Sequence, residues 1–230
     1  MQARPSVLVF DVNETLIDIG ALEPHFDHIF GDPGVLREWF GQLITYSMTV
    51  TLSGRYVDFF TLGRAVLQMI ADVHHVDLSD AAAAELTRGM ATMPAHPDVS
   101  PGLRRLREAG YRLVTLTNSP PNPAGNTPLE HAGIASYFER QFSVDASRVY
   151  KPSAVLYGNV AAELAVAPEA CMMVAAHAWD TIGAQSAGFS GALIIRPGNA
   201  PLPAPGVPQP DVVTADLLDL AQRLAMTFHP

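Results

Sequence analysis

The sequence predicts an α/β fold, a doubly wound parallel sheet carrying a helical cap inserted after its first strand, and three observations predict it. Val7 to Phe10 is a short apolar, β-branched run that reads as a buried parallel strand and leads directly into Asp11. From about Ala21 to Thr92 the apolar residues recur every three or four positions, which is helical spacing with no strand-like alternation. From Ser100 onward, helical and strand patterns alternate, as they must where parallel strands are joined by crossover helices. The expected division is a core of residues 1–17 and 93–230 and a cap of residues 18–92. A separate four-helix domain is the other reading of the helical block, but neither of its ends has the composition of a linker.

Within the cap, Val35, Leu36, Trp39, Phe40, Leu43, Ile44 and Met48 form one apolar stripe, and Phe59, Phe60, Leu62, Ala65, Val66, Met69, Ile70 and Val73 form a second. A third helix, Asp80 to Met90, has Ser79 as its N-cap. After Ser100 a helix with Pro101 in its first turn runs through Arg104 to Ala109 and stops at Gly110. Arg112 to Thr117 is the next strand, ending in Asn118-Ser119 and a Pro-rich turn. Leu129 to Gly133 closes a helix, Phe142 to Val144 is a short strand, and Pro152 to Leu164 is a helix that follows Lys151. Met172 to Ala175 is an apolar strand, followed by the turn His177-Ala178-Trp179-Asp180 and a helix to Gly188. Ala192 to Ile195 is a strand and the Pro-rich stretch from Pro197 to Pro210 is an extended loop. Val212-Val213 and a helix from Ala215 to Ala225 finish the chain.

Composition narrows the function. The chain is 48% hydrophobic, enough for a full core. A net charge of -9 argues against nucleic acid or an anionic membrane as partner, and no run reaches membrane-spanning length. The N-terminal stretch carries one Arg and a very short apolar run without a cleavage signature, so no secretory signal is expected. A single cysteine, Cys171, rules out a disulfide framework and fits a reducing cytoplasm.

Four predicted strand ends or their loops place polar groups at one sheet edge: Asp11, Thr117-Asn118, Lys151 and Asp180. In open α/β sheets this edge is where ligands bind. Taken alone, Asp11 could equally cap the turn that follows it, but four such coincidences at one edge are hard to ascribe to packing. Lys151 is the only lysine among the 14 Lys and Arg residues. In so arginine-biased a chain, that position calls for a compact ammonium instead of a planar fork.

FDVNETL, LTNS, YKPSAVLY and AHAWDTIGA, in that order and with a helical insert after the first, resemble the haloacid dehalogenase superfamily, most closely its 2-haloacid dehalogenase branch. The similarity spans about Ser6 to Leu220. It implies a Rossmann-like core and an Asp11 nucleophile that forms an ester which water then hydrolyses. A carboxylate is a weak nucleophile and needs desolvation, orientation and a cation beside it. By resemblance Lys151 is that cation, Thr15 fixes the Asp11 rotamer, Asn118 donates to the substrate carboxylate or halide, and Asp180 anchors Lys151 and positions water. Val12, Asn13, Phe40, Tyr46, Thr117, Tyr157 and Trp179 are expected to line the substrate pocket.

A phosphatase of this superfamily carries a second Asp two residues after the nucleophile and further acids for Mg²⁺; Asn13 and Ala176 stand at those places. Halide leaves as an anion and needs neither a proton nor a metal, so no cofactor and no metal are expected. Two departures mark this chain. Phe40 replaces the cap arginine that grips halide in the branch, with Arg37 on nearly the same helical face. Ala175 and His177 replace the branch's water-positioning Ser and Asn, so His177 is a candidate base or halide-binding cation. The expected activity is metal-independent hydrolysis of small 2-haloacids to 2-hydroxy acids, by a cytoplasmic homodimer associating through its cap helices. A Mg²⁺-dependent phosphatase and a binding protein with little turnover are the alternatives.

Overall fold

The computed structural model describes residues 4–121 and 127–227, so most of the Pro-rich turn expected after Ser119 lies outside the described residues. Six parallel strands form one sheet in the order β3-β2-β1-β4-β5-β6. They are β1 (Val7–Phe10), β2 (Arg112–Thr117), β3 (Arg140–Ser143), β4 (Cys171–Ala175), β5 (Ser190–Ile194) and β6 (Val212–Thr214). Chain order runs outward in both directions from β1 and β4. The topological switch point therefore lies between these two strands, with Asp11 just beyond the end of β1 and His177 just beyond β4. Every residue of β1, β4 and β5 is buried, as expected for strands covered on both faces.

The segment between β1 and β2 is helical: α1 (Glu23–Phe30), α2 (Val35–Leu52), α3 (Phe59–Val73), α4 (Asp80–Ala91) and α5 (Val99–Glu108). Asp58 caps α3 by accepting from the Phe60 and Thr61 N–H groups, and the Ser79 hydroxyl accepts from Ala82 N–H to cap α4. The Trp39 indole donates to the Gly63 carbonyl at 2.9 Å. A Cβ on Gly63 would sit 3.4 Å from Trp39 and Leu43, so glycine lets α3 approach α2 closely. The helical block does not stand apart, because its buried residues join a hydrophobic cluster continuous with the sheet. Polar ties add to this: Tyr150 N–H donates to Thr51 Oγ1, Tyr150 Oη to the Val57 carbonyl, and Tyr56 Oη to Asp145.

The rest of the core is α6 (Pro128–His131), α7 (Ala154–Glu163), α8 (Ala178–Ser186) and α9 (Leu217–Thr227). Two boundaries differ from expectation in ways that bear on the site. The helix expected from Pro152 starts at Ala154, because a turn closed by Ser153 N–H on the Tyr150 carbonyl holds Lys151 outside it. β3 ends at Ser143 instead of Val144, because the Ser143 hydroxyl accepts from Asp145 N–H and starts a short 3₁₀ turn. Among the described residues no helix is long and apolar enough to cross a membrane.

Candidate active site

Asp11 is the hub of a buried polar network. Its Oδ1 accepts from Lys151 Nζ at 2.7 Å, and its Oδ2 accepts from Thr15 Oγ1 at 2.6 Å. Thr15 Oγ1 in turn accepts from Ala176 N–H at 2.8 Å, which leaves its one hydrogen to point at Asp11 and locks the carboxylate rotamer. Lys151 spends all three ammonium hydrogens: one on Asp11, one on Asp180 Oδ2 at 2.7 Å, and one on the Leu116 carbonyl at 2.9 Å. Its side chain has no exposure. Asp180 Oδ1 accepts from Tyr157 Oη at 2.6 Å, so both carboxylates remain satisfied around one cation.

Burial acts against every charge here, and the partners decide the outcome. Burial alone would push the Asp11 carboxyl up, but Lys151 and His177 beside it hold it well below the usual carboxylate range. Burial would likewise lower Lys151, yet Asp11 and Asp180 together raise it. For Asp180 burial prevails with help from Asp11, and its carboxyl is raised despite Lys151. Tyr157 is pushed well up, first by burial and then by Asp180. One carboxylate is thus held ionised and the other eased toward taking a proton, a separation that permits two roles.

Asn118 Oδ1 accepts from Lys151 N–H at 3.3 Å, which turns its amide donors away from Lys151. Asp11, Asn13, Asn118, Phe40, His177 and Trp179, with Ile44 and Phe59, enclose a space of about 10 Å³. A cleft of about 500 Å³ adjoins it, lined by residues that include Val12, Asn13 and Thr117. Two expected pocket residues lie elsewhere. Tyr157 is fully buried behind Asp180, because it sits on the inward face of α7 with Leu156 and Val160; it orders Asp180 and does not line the pocket. Tyr46 is partly exposed on α2, off the face that buries Phe40, Leu43, Ile44 and Ser47, and does not line the enclosed space.

His177 stacks on Trp179, ring centroids 4.9 Å apart, and lies 5.7 Å from the Phe40 ring. Its Nε2 is 2.7 Å from Glu14 Oε2. Its Nδ1 is 3.3 Å from Asp11 Oδ2, but without hydrogen-bond alignment, and is buried without a partner. Arg37 reaches in from α2 to donate to Glu14 and to the Pro197 carbonyl. It contacts Glu14, not Asp11, so it does not stand in for the missing halide arginine. Glu14 escaped the sequence reading. The signal for it was an acid inside the FDVNETL motif, adjacent to Thr15 and among residues otherwise expected to be buried.

The model of the haloacid dehalogenase-like hydrolases matches residues 5–188. The chain is 30% identical over 200 residues to (S)-2-haloacid dehalogenase 4A of Burkholderia cepacia, covering 84% of each. It is 29% identical over 196 residues to the (S)-2-haloacid dehalogenase of Pseudomonas sp. (strain YL), covering 84% of this chain and 83% of that one. Among solved structures, the L-2-haloacid dehalogenase RSc1362 superposes with a TM-score of 0.86 at 29% identity, over 96% of this chain and 99% of that one. The L-2-haloacid dehalogenase of Xanthobacter autotrophicus, solved with chloropropionic acid covalently bound, shares the fold with a TM-score of 0.86 at 24% identity, over 98% and 100%. With its parallel sheet, its Asp11-Lys151-Asp180 network and these similarities, the chain belongs to the haloacid dehalogenase-like hydrolases.

Proposed function

We propose that this protein hydrolyses 2-haloacids to 2-hydroxy acids and halide through an ester on Asp11. The observation that carries the proposal is the Lys151 ammonium, 2.7 Å from Asp11 and 2.7 Å from Asp180. Asp11 attacks C2 of the substrate in line with the departing halide, and water then attacks the ester carbonyl and frees the acid. Lys151 keeps Asp11 ionised in a dry site, where a carboxylate shed of water is a better nucleophile. Asn118, with backbone N–H groups near Thr117, serves the substrate carboxylate, while Phe40 and Trp179 form an apolar wall for the polarisable halide. The names and coverage of the curated relatives support this reading.

The same observation supports a metal-free reaction. Lys151 already neutralises Asp11 and Asp180 and would compete with a divalent ion for them, and Asn13 and Ala176 supply no further carboxylate. A halide-release screen over 2-haloacids with and without EDTA tests both points. Release insensitive to EDTA is expected, whereas Mg²⁺-dependent cleavage of phosphate esters without halide release would put the phosphatase reading first.

A cytoplasmic homodimer also belongs to the proposal. The free, buried Cys171 fits a reducing compartment. The α2 stripe is buried within the chain, so a dimer through the cap helices would use exposed residues such as Tyr46, Leu52 and Val73. Analytical ultracentrifugation decides between monomer and dimer.

A further inference from the structure

The space around Asp11 is about 10 Å³, room for a single water molecule. The adjoining cleft is fifty times larger in order of magnitude terms, about 500 Å³ against about 10 Å³, and shares Asn13 with it. Its walls are chiefly apolar, from Val12, Phe142 and Leu129 of the core to Phe60 of α3, with Thr87 of α4 at the cap side. Among the described residues, this cleft gives a haloacid whose C2 meets Asp11 a direction in which to extend. We propose that the cleft receives the C2 substituent, and that the preferred substrates are 2-haloacids bearing an apolar group of several carbons. This rests on the dehalogenase reading and names its substrate class.

The test is kcat/KM for halide release along a series of 2-bromo acids from acetic to octanoic. Each methylene that enters the cleft should raise kcat/KM roughly fourfold at full burial. Thr87→Trp should lower the octanoic-to-propionic ratio about tenfold by filling the cleft with an indole. A flat or falling series, with halide released from the short acids, overturns the cleft assignment and leaves the dehalogenase reading intact. No halide from any member overturns both.

A second observation stands independently. Glu14 has φ 69°, a left-handed conformation that costs a non-glycine residue energy and persists where the surroundings enforce it. Its buried carboxylate takes Arg37 on one oxygen and His177 Nε2 on the other. Stacking on Trp179 holds the ring, and the buried, unpartnered Nδ1 faces Asp11. The geometry points to Glu14 as a positioning residue for the hydrolytic half of the reaction. It accepts from His177 Nε2–H, and once Asp11 is esterified and carries no charge, this tautomer leaves the Nδ1 lone pair aimed at the ester. Water bonds to Cγ of Asp11 as Nδ1 takes one of its protons. The bond from Cγ to the 2-oxygen breaks, that oxygen recovers the proton from His177, and the second water proton is lost to solvent as Asp11 regains its carboxylate.

Single-turnover quench experiments with a 2-bromo acid separate halide release from decay of the Asp11 ester, which peptide mass spectrometry detects. Glu14→Gln keeps the shape but removes the charge and leaves one acceptor oxygen for Arg37 and His177 to compete for, and Glu14→Gly removes the side chain at a φ that glycine adopts freely. In both variants ester decay should slow about 10²-fold or more, while halide release slows far less, so the ester accumulates. Equal slowing of both steps, or no accumulation, overturns the role of Glu14. Halide release with no Asp11 ester detected at any time overturns the covalent reading beneath it.

Discussion

Replacing Lys151 with methionine removes a buried cation while keeping an unbranched side chain of similar length in its channel. Lys151 has no exposure and makes three hydrogen bonds, two of them to carboxylates at 2.7 Å. Asp11 would keep Thr15 and Asp180 would keep Tyr157, so neither is wholly abandoned. The two carboxylates would nevertheless face each other without a cation, and breaking a buried pair from one side costs about 3–5 kcal/mol. For a chain of this size that lowers Tm by about 6–20 °C. Urea unfolding at about pH 7 and about pH 5 reads the effect, with an unchanged m-value as the control.

The pH dependence of this variant has a defined sign. Its penalty is present where both carboxylates are ionised and shrinks as pH falls and one takes a proton. In the wild type, the raised Lys151 contributes stability fully below the unfolded lysine value of about 10.4, lost as pH rises through the folded value. The depressed Asp11 contributes stability above about 3.9, lost as pH falls through its folded value. A loss of less than about 1 kcal/mol at neutral pH, or one that grows on acidification, would refute the argument that Lys151 compensates two buried charges.

The raised Asp180 carboxyl should give kcat/KM an acid limb that begins above the ordinary Asp value of about 3.9; a plateau continuing below it in a pH–rate profile contradicts this. Gly183→Ala should displace the Lys151 loop, since a Cβ there would stand 2.4 Å from Pro152 Cβ and 2.7 Å from its carbonyl oxygen. A drop in Tm of several degrees, about 1–3 kcal/mol of overpacking, together with lost turnover is expected; wild-type values for both would show the contact to be unimportant. Tyr157→Phe removes one hydrogen bond to a buried carboxylate and should cost about 1.5–3 kcal/mol in urea unfolding and move the acid limb to higher pH, whereas an unmoved limb would detach Tyr157 from Asp180.

Much of this arrangement was legible in the sequence, because its signals are local. The run from Val7 to Phe10 ending in Asp11 fixes both a buried strand and the end of it where chemistry occurs. The three- and four-residue spacing in the cap marks α2 and α3, and Ser79 marks the start of α4. The lone lysine announced itself by composition. What escaped depends on where side chains point once the elements pack. Tyr157 belongs to Asp180 because α7 turns its inward face to the sheet, and Tyr46 is displaced from Phe40 by a helical rotation that only packing makes consequential. Glu14 carries no local signal of its partners in the sequence. Only a backbone with φ 69° carries it inward to meet Arg37 from α2 and His177 from beyond β4, three residues far apart in sequence. The apolar stripe of α2, compatible in sequence with a dimer through the cap helices, packs within the chain against α3 and joins the core.

The covalent role of Asp11 is the central claim, and hydrolysis in ¹⁸O water under single-turnover conditions tests it most directly. Mass spectrometry of the peptide containing Asp11 should show label in that carboxylate, with the first-formed 2-hydroxy acid unlabelled, because water attacks Cγ of the ester and not C2 of the substrate. Label in the product with Asp11 unlabelled would mean that water displaces halide directly, and the account would fail.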